Sequence, residues 1–238
     1  MERLDKLLAG TGRWSRKEAR AVIRAGRVQA DGLIARSPEE KVPEGAVVTV
    51  DGHPICTDRY VYLMLHKPGG VVSSTEDPRE KTVLSLLPPE LRRLGLFPVG
   101  RLDKDTEGLL LLTNDGQLAH RLLAPGRHVD KVYYAEVDGP LTEQDCAVFR
   151  DGLTLADGTL CRPAELTLLT PPGRCLVTLQ EGKYHQVKRM LASRGAPVTY
   201  LKRLSMGPLE LDPALPIGAF RPLSPRELTR LMGEQKDF

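Results

Sequence analysis

The pattern of apolar and polar positions divides the chain into short helices and strands, and the stretch 98–116 is the one around which the others are arranged. It reads PVGRLDKDTEGLLLLTNDG. The continuous apolar run Leu109 to Leu112, bounded by turn-forming residues, predicts a strand that is buried on both faces. The polar loop at 101–107 therefore lies beside a rigid and dry element.

The N-terminal region predicts a small module of two helices and a small sheet. The helices are expected at residues 3–9 and 15–25, and the second begins at a capping box formed by Ser15 and Glu18. Short strands that alternate with turns follow, as far as residue 50. We therefore predict a first domain at 1–52, a linker at 53–59 and a second domain at 60–238.

The second domain mixes strands and helices without a regular order. Strands are predicted at 60–66, 130–137 and 197–206, with two or three more between 153 and 181. Helices are predicted at 82–94 (interrupted at Pro88-Pro89), 116–123, 142–150, 184–191 and 225–232. Helices in irregular alternation with mostly antiparallel strands indicate an α+β fold.

Composition excludes several classes of protein. The hydrophobic fraction of 41% is ordinary for a soluble protein, and no apolar run approaches the length of a membrane span. The charged N-terminus does not resemble a signal peptide, and four widely spaced cysteines predict reduced thiols in a cytoplasmic protein. The histidines and cysteines show no metal-ligand spacing, and glycine-rich nucleotide motifs are absent, so we expect neither metal nor cofactor.

Positive charge is clustered, although the net charge is only +3. Residues 3–27 contain eight Lys/Arg and two Asp/Glu, and residues 183–203 contain six Lys/Arg and no acid. Two basic patches on a nearly neutral chain indicate a polyanionic partner that is contacted in two places. The alternative is a pair of solvated surfaces.

Candidate chemistry is concentrated in the polar loop, where Asp103, Asp105 and Glu107 follow one another closely. A catalytic carboxylate needs a packed, low-dielectric surrounding that fixes its rotamer, and the adjacent buried strand supplies one. The alternative is a solvated acidic turn. The residues alone do not distinguish the three carboxylates.

Three ordered blocks resemble the bacterial rRNA pseudouridine synthases, and specifically the branch that modifies small-subunit (16S) rRNA. The first is GRLDKDTEGLL at 100–110, the second is Lys131-x-Tyr133, and the third is EGKYHQVKRML at 181–191. Lys67-Pro68 matches another recurring block, for which a structural turn is the default interpretation. Residues 1–52 resemble the S4-like RNA-binding module.

The resemblance implies a fold and a reaction. The fold is an S4-like module followed by a catalytic domain built on a mostly antiparallel sheet with flanking helices. The reaction is isomerisation of a uridine in 16S rRNA, uridine 516 being the expected position. Asp103 is then the essential carboxylate, Lys188 its paired cation and Tyr133 the active-site tyrosine; a core aromatic is the alternative for Tyr133.

The same resemblance supplies the expected RNA contacts. In the N-terminal module these are Arg3, Lys6, Arg13, Arg16, Lys17, Arg20, Arg24 and Arg27; in the catalytic domain they are Arg101, Lys183, His185, Gln186 and Arg189. A structural salt bridge is the alternative for Arg101. We expect a monomer that acts on folded or partly assembled 16S rRNA, with no membrane partner. The competing functions are a 23S rRNA enzyme of the same family and a non-catalytic assembly factor.

Overall fold

The structure, a computed structural model, describes residues 1–43, 45–55, 60–124, 126 and 129–233. The chain forms two compact units, Met1–Val61 with Leu87–Leu96, and Tyr62–Leu86 with Phe97–Phe238. Each unit has its own hydrophobic core. None of the helices within the described ranges is both long enough and apolar enough to cross a bilayer. The mixture of helices and mostly antiparallel strands confirms the predicted α+β class.

The first unit consists of short elements around one core. They are β1 (Glu2–Arg3), α1 (Leu4–Gly10), α2 (Arg16–Arg24), β2 (Val28–Ala30), β3 (Leu33–Ile34), β4 (Lys41–Val42), β5 (Val48–Val50), β6 (His53–Pro54) and α3 (Pro89–Arg92). The predicted capping box starts α2: Ser15 N donates to Glu18 Oε2 at 2.7 Å, and Glu18 N donates to Ser15 Oγ at 3.3 Å. The apolar arc of α2 is buried in the core, as its spacing predicts.

The sheet of this unit extends into the predicted linker. Its strand order is β3-β2-β5-β6, and His53–Pro54 pairs with β5. Ile55 is buried in the core. The remaining linker residues, 56–59, lie outside the described part of the chain, and the boundaries of the two domains stay a prediction.

The second unit is built on a nine-stranded sheet with helices around it. Its elements are β7 (Tyr62–Lys67), a 3-10 helix (Val83–Leu86), β8 (Phe97–Pro98), β9 (Glu107–Thr113), α4 (Gly116–Leu123), β10 (Lys131–Val137), α5 (Glu143–Asp151), β11 (Glu165–Leu169), β12 (Arg174–Leu179), α6 (Gln186–Ala192), β13 (Val198–Met206), β14 (Leu209–Glu210), β15 (Phe220–Pro222) and α7 (Pro225–Gly233). The main strand order is β11-β12-β10-β13-β9-β7-β15.

Strand β9 lies inside this sheet, between β7 and β13. Its four leucines, Leu109 to Leu112, are all 0% exposed, which confirms the prediction of burial on both faces. The pairing with β7 is antiparallel, whereas the pairing with β13 is parallel and joins Glu107 to Lys202 and Gly108 to Arg203. A rigid strand therefore directly follows the polar loop.

Two predicted segments differ from the structure for identifiable reasons. The helix predicted at 82–94 is a 3-10 turn followed by the single-turn α3, because Pro88 and Pro89 cannot continue a helix begun before them. The region 153–181 contains the two strands β11 and β12, and Thr154 forms only an isolated bridge with Leu160. The two-residue strands β1 and β4 escaped prediction, because two residues are too few to show a period.

Candidate active site and RNA-contact residues

The loop between β8 and β9 is fixed by hydrogen bonds from a neighbouring segment. Ser73 Oγ donates to the carbonyl of Leu102 at 2.8 Å and accepts from Leu102 N at 3.0 Å. Thr106 N donates to the carbonyl of Asp103 at 3.1 Å and closes a turn. Since Leu102 is held on both sides, the backbone that carries Asp103 has little freedom.

A buried lysine holds the other end of this loop. Lys67 is 0% exposed, and its ammonium group donates to the carbonyls of Pro68, Lys104 and Thr106 at 2.9, 3.2 and 2.8 Å. Burial lowers the pKa of Lys67 to about 8, although the carboxylates of Asp105 and Asp103 favour its charged form. Lys67 therefore both anchors the loop and places a positive charge beneath it.

The three carboxylates of the loop have different surroundings. Asp103 lines a pocket whose described walls also contain Arg101, Leu102, Thr106, Tyr133, Leu179, Gly182, Lys183, His185, Gln186, Val187 and Leu201. Neither Asp105 nor Glu107 lines this pocket. The side chain of Asp105 is 75% exposed, and Glu107 accepts a hydrogen bond from Tyr200 Oη at 2.7 Å. The three carboxylates are thus distinguished by position.

Lys188, on α6, contacts two of these carboxylates. Its nitrogen lies 3.7 Å from Asp103 Oδ2 and 2.5 Å from Asp105 Oδ1, and its side chain is 21% exposed. The hydrogen bond from Lys188 is the main reason that the pKa of Asp105 is lowered. The predicted pairing with Asp103 is therefore present, but Lys188 is shared.

Tyr133 faces the pocket because side chains alternate along β10. Tyr133 and Ala135 are buried, while Tyr134 points to the other face, where its hydroxyl donates to Glu136 at 2.7 Å. The structure thus places the predicted tyrosine, and not its neighbour, in the wall shared with Asp103.

His185 completes the rim of the pocket in a strained conformation. Its φ is +47°, in the left-handed region, and it directly precedes α6. Its Nε2 lies 3.5 Å from Asp103 Oδ1, and its ring stacks on Tyr184 with centroids 3.9 Å apart. Since Tyr184 is 76% exposed, this stacked pair presents an aromatic surface beside the carboxylate.

The other predicted RNA contacts around α6 are engaged within the protein. Gln186 is 4% exposed and joins Lys183 N to Glu181 through its amide group. The ammonium group of Lys183 donates to the carbonyl of Leu160 and forms an ion pair with the carboxylate of Glu181. The guanidinium group of Arg189 contacts Asp157 and Thr159. These partners favour roles in shaping the pocket wall.

Arg101, by contrast, is exposed and lines the pocket. Within the described ranges it makes no ion pair, so the salt-bridge alternative for Arg101 finds no support.

The predicted cations of the N-terminal unit fall into two groups. Arg3 and Arg20 donate to the buried carboxylate of Asp5, both at 2.9 Å, and Arg16 lies 3.9 Å from it. The other paired cations are Lys6, which contacts Glu2, and Arg27, which contacts Asp51. Three are exposed and form no ion pair within the part of the chain that the structure describes: Arg13, Lys17 and Arg24.

Three buried residues around the site were not predicted from the sequence to be buried there. Lys67 belongs to the Lys67-Pro68 block, but nothing in a single sequence shows that its ammonium group is buried under the loop. Ser73 lies in an unpatterned segment, and its bonds to Leu102 arise only when residues 29 positions apart meet. A buried Arg203, paired across the sheet with Tyr133, was likewise not anticipated.

Comparison with known proteins agrees with this geometry. Residues 61–193 match the model of the RNA pseudouridylate synthase family, and residues 2–48 match that of the S4 domain. "Uncharacterized RNA pseudouridine synthase YtzG" of Bacillus subtilis is 50% identical over 95% of this chain and 96% of the relative. "Ribosomal small subunit pseudouridine synthase A" of Pseudomonas aeruginosa is 42% identical over 95% of this chain and 98% of the relative.

A solved structure gives the same result. A crystal structure of a pseudouridylate synthase superimposes with a TM-score of 0.68 at 33% identity, covering 97% of this chain and 100% of the other. The resemblance found in the sequence is therefore confirmed. The chain belongs to the RNA pseudouridine synthases, isomerases that act on uridine in RNA, and it carries an S4 domain at its N-terminus.

Proposed function

We propose that this enzyme isomerises one uridine of 16S rRNA, with uridine 516 the expected position. The observation that supports this substrate is near-full-length similarity to relatives named for the small subunit, at 42% identity in Pseudomonas aeruginosa and 39% in Escherichia coli. The similarity spans both the S4 domain and the catalytic region. A 23S rRNA target is the alternative, because the 50% identical relative is named without a ribosomal subunit.

The reaction needs no redox partner. The bond between C1′ of the ribose and N1 of uracil breaks, a bond between C1′ and C5 forms, and the proton on C5 is replaced by one on N1. Atoms and electrons balance within the nucleotide. What the protein must supply is a reactive group, access to the base and a place for the detached uracil to turn.

We assign the reactive group to Asp103, and the observation that carries this assignment is its position. Among the three loop carboxylates it alone lines the described pocket. Attack on C1′, attack on the base and proton abstraction from the ribose all require an ionised carboxylate. A base that covers the carboxylate removes water from it and disfavours the ionised form, and the ammonium group of Lys188 favours that form.

We assign Tyr133 to contact with the target base. We assign Arg101 to the space that this base leaves in the RNA. A stacked uracil is unreachable, so the nucleotide must rotate outward, at a cost of a few kcal/mol. The buried ring of Tyr133 offers a surface for stacking in the pocket. The exposed Arg101, which lines the same pocket, is placed to fill the vacated position or to contact a phosphate.

The N-terminal module is assigned to RNA affinity. Two tethered weak contacts raise the overall affinity through effective concentration, which lets the enzyme recognise one uridine by the shape of folded rRNA. Arg13, Lys17 and Arg24 are the cations best placed for phosphates, because no described carboxylate holds them. A cytoplasmic, monomeric protein remains our expectation.

Mapping pseudouridines in both rRNAs of a strain that lacks this protein tests the assignment. Loss of one pseudouridine from 16S rRNA, restored by the wild-type gene and not by Asp103→Asn, is the expected result. Loss of a pseudouridine from 23S rRNA alone would show that 23S rRNA is the substrate, and the enzyme class would be unchanged. Restoration by Asp103→Asn would contradict the assigned carboxylate.

A further inference from the structure

A second cavity adjoins the pocket of Asp103 and carries strong positive charge. Its volume is about 680 Å³, within the range of small-ligand sites. It shares Arg101, Tyr133, Gly182 and Lys183 with the first pocket. The described cations in its wall are Arg101, Lys131, Arg162, Lys183 and Arg203, whereas Glu181 is the one described carboxylate there.

Arg203 is the most unusual member of this wall. It is 2% exposed, and its Nε donates to the carbonyl of Leu109 at 2.8 Å. Its Nη2 is buried without a hydrogen-bond partner in the described structure, and no described carboxylate forms an ion pair with it. A buried cation without a counter-charge is costly, so this guanidinium group is poised for an anion.

Lys131 adds a second positive charge close to Arg203. Tyr133 is paired directly with Arg203 across the two strands, and Lys131 lies two residues from Tyr133 on β10. The ammonium group donates to the carbonyl of Val129 at 2.8 Å. Burial lowers the pKa of Lys131, and the nearby charge of Arg203 lowers it further, whereas the carboxylate of Asp130 raises it.

We propose that Lys131 and Arg203 form a subsite for a phosphodiester group of the RNA strand, next to the uridine that enters the pocket of Asp103. This inference rests on the proposed RNA substrate. Because the two cavities share Tyr133 and Gly182, a nucleotide whose base lies in the first leaves its backbone at the second. A bridging phosphate is the anion that such a backbone presents, and cations bind it through charge-assisted hydrogen bonds.

The salt dependence of RNA binding tests the subsite without knowledge of the target nucleotide. The probe is a uridine-containing single-stranded RNA, and the variants are Lys131→Met and Lys202→Met in the full chain. Lys202 precedes Arg203 in β13, so it points to the opposite face and serves as the matched control. We expect Lys131→Met to lower the slope of log K against log salt by about 0.7, the value for one phosphate contact, and Lys202→Met to leave it unchanged.

Replacing single phosphates of the same RNA with uncharged methylphosphonates locates the contact. Replacement of one linkage beside the recognised uridine should weaken RNA binding by the wild type at least fivefold. The same replacement should not weaken RNA binding by Lys131→Met any further. Equal slopes for the two variants, or equal sensitivity of wild type and Lys131→Met at every linkage, would overturn the subsite. Failure of the proposed function would give a different result from failure of the subsite. In that case the wild-type enzyme would bind these RNAs but leave 16S rRNA unmodified.

Discussion

The ammonium nitrogen of Lys188 lies nearer to Asp105 than to Asp103, at 2.5 Å compared with 3.7 Å. Proximity to the cation therefore does not identify the reacting carboxylate. Asp105 is 75% exposed, so solvent screens its contact with Lys188, whereas Asp103 is 27% exposed and lines the pocket. Binding of a base would exclude water around Asp103 and strengthen its interaction with the same cation.

Lys67 should make stability depend on pH in a specific direction. Its folded-state pKa of about 8 lies below the ordinary value of 10.5, so the unfolded chain binds more protons between these values and stability rises with pH there. Relative to Lys67→Met, the wild type should gain up to about 3 kcal/mol in free energy of unfolding between pH 7 and pH 10. Urea unfolding of both proteins at the two pH values measures this difference, and a difference that is constant or falls would contradict the buried, charged Lys67.

Gly108→Ala should disrupt the junction between the loop and the sheet. A Cβ at Gly108 would lie 2.2 Å from the carbonyl oxygen of Arg203, and the φ of +105° is strained for any other residue. We expect a loss on the order of 3 kcal/mol or more in stability. Gly116→Ala is the control: a Cβ there meets nothing within 4 Å, at the start of α4, so stability should be unchanged or higher by up to about 1 kcal/mol. Similar thermal shifts for the two variants would be inconsistent with this packing.

Asp5 should stabilise the N-terminal unit except in acid. Its carboxylate is buried, and hydrogen bonds from Arg3 and Arg20, working against burial, lower its pKa to about 2. The stabilisation is present above the ordinary pKa of 3.8 and is lost as the pH falls toward 2. Asp5→Asn should therefore cost about 2 kcal/mol at pH 7 and no more than about 0.5 kcal/mol at pH 2.

The single tryptophan, Trp14, packs against the core of this unit, so its fluorescence reports the transition. Asp51→Asn, which breaks the exposed pair with Arg27, is the control and should have little effect at either pH. An Asp5→Asn penalty as large at pH 2 as at pH 7 would show that the carboxylate's charge is not the source of the stabilisation.

The unpaired cations of the N-terminal unit should carry much of its RNA affinity. Replacing Arg13, Lys17 and Arg24 together with Met should lower the slope of log K against log salt by about 2, because three phosphate contacts are removed. Titration of 16S rRNA fragments at several salt concentrations measures the slope. The control removes three exposed arginines outside the predicted contact set: Arg150, Arg226 and Arg230. Equal slopes for the two triple variants would count against the assignment of these residues.

The sequence predicted those parts of the site that depend on local pattern. The run Leu109 to Leu112 identified the buried strand. The resemblance selected Tyr133, and alternation along β10 explains why its neighbour Tyr134 faces the other way. The resemblance selected Asp103 from three carboxylates that spacing could not distinguish. In each case the information lay within a few neighbouring residues.

What escaped prediction depends on contacts between distant segments. Lys67 donates to carbonyls 37 and 39 residues away, and Ser73 bonds to Leu102. The division of Lys188 between Asp103 and Asp105 is set by the position of α6 over the loop, which no local pattern encodes. The same applies to Arg203, whose burial follows from the order of strands in the sheet.

The central claim is that Asp103 reacts with the nucleotide, and matched single-turnover rates with a 16S rRNA substrate test it most directly. Asp103→Asn should lower the isomerisation rate at least about 10⁴-fold while RNA affinity, measured in parallel, changes by less than a few-fold. Asp105→Asn, which alters the closer but exposed partner of Lys188, should keep the rate within about tenfold of wild type. Persistent isomerisation by Asp103→Asn, or its loss only in Asp105→Asn, would contradict the account.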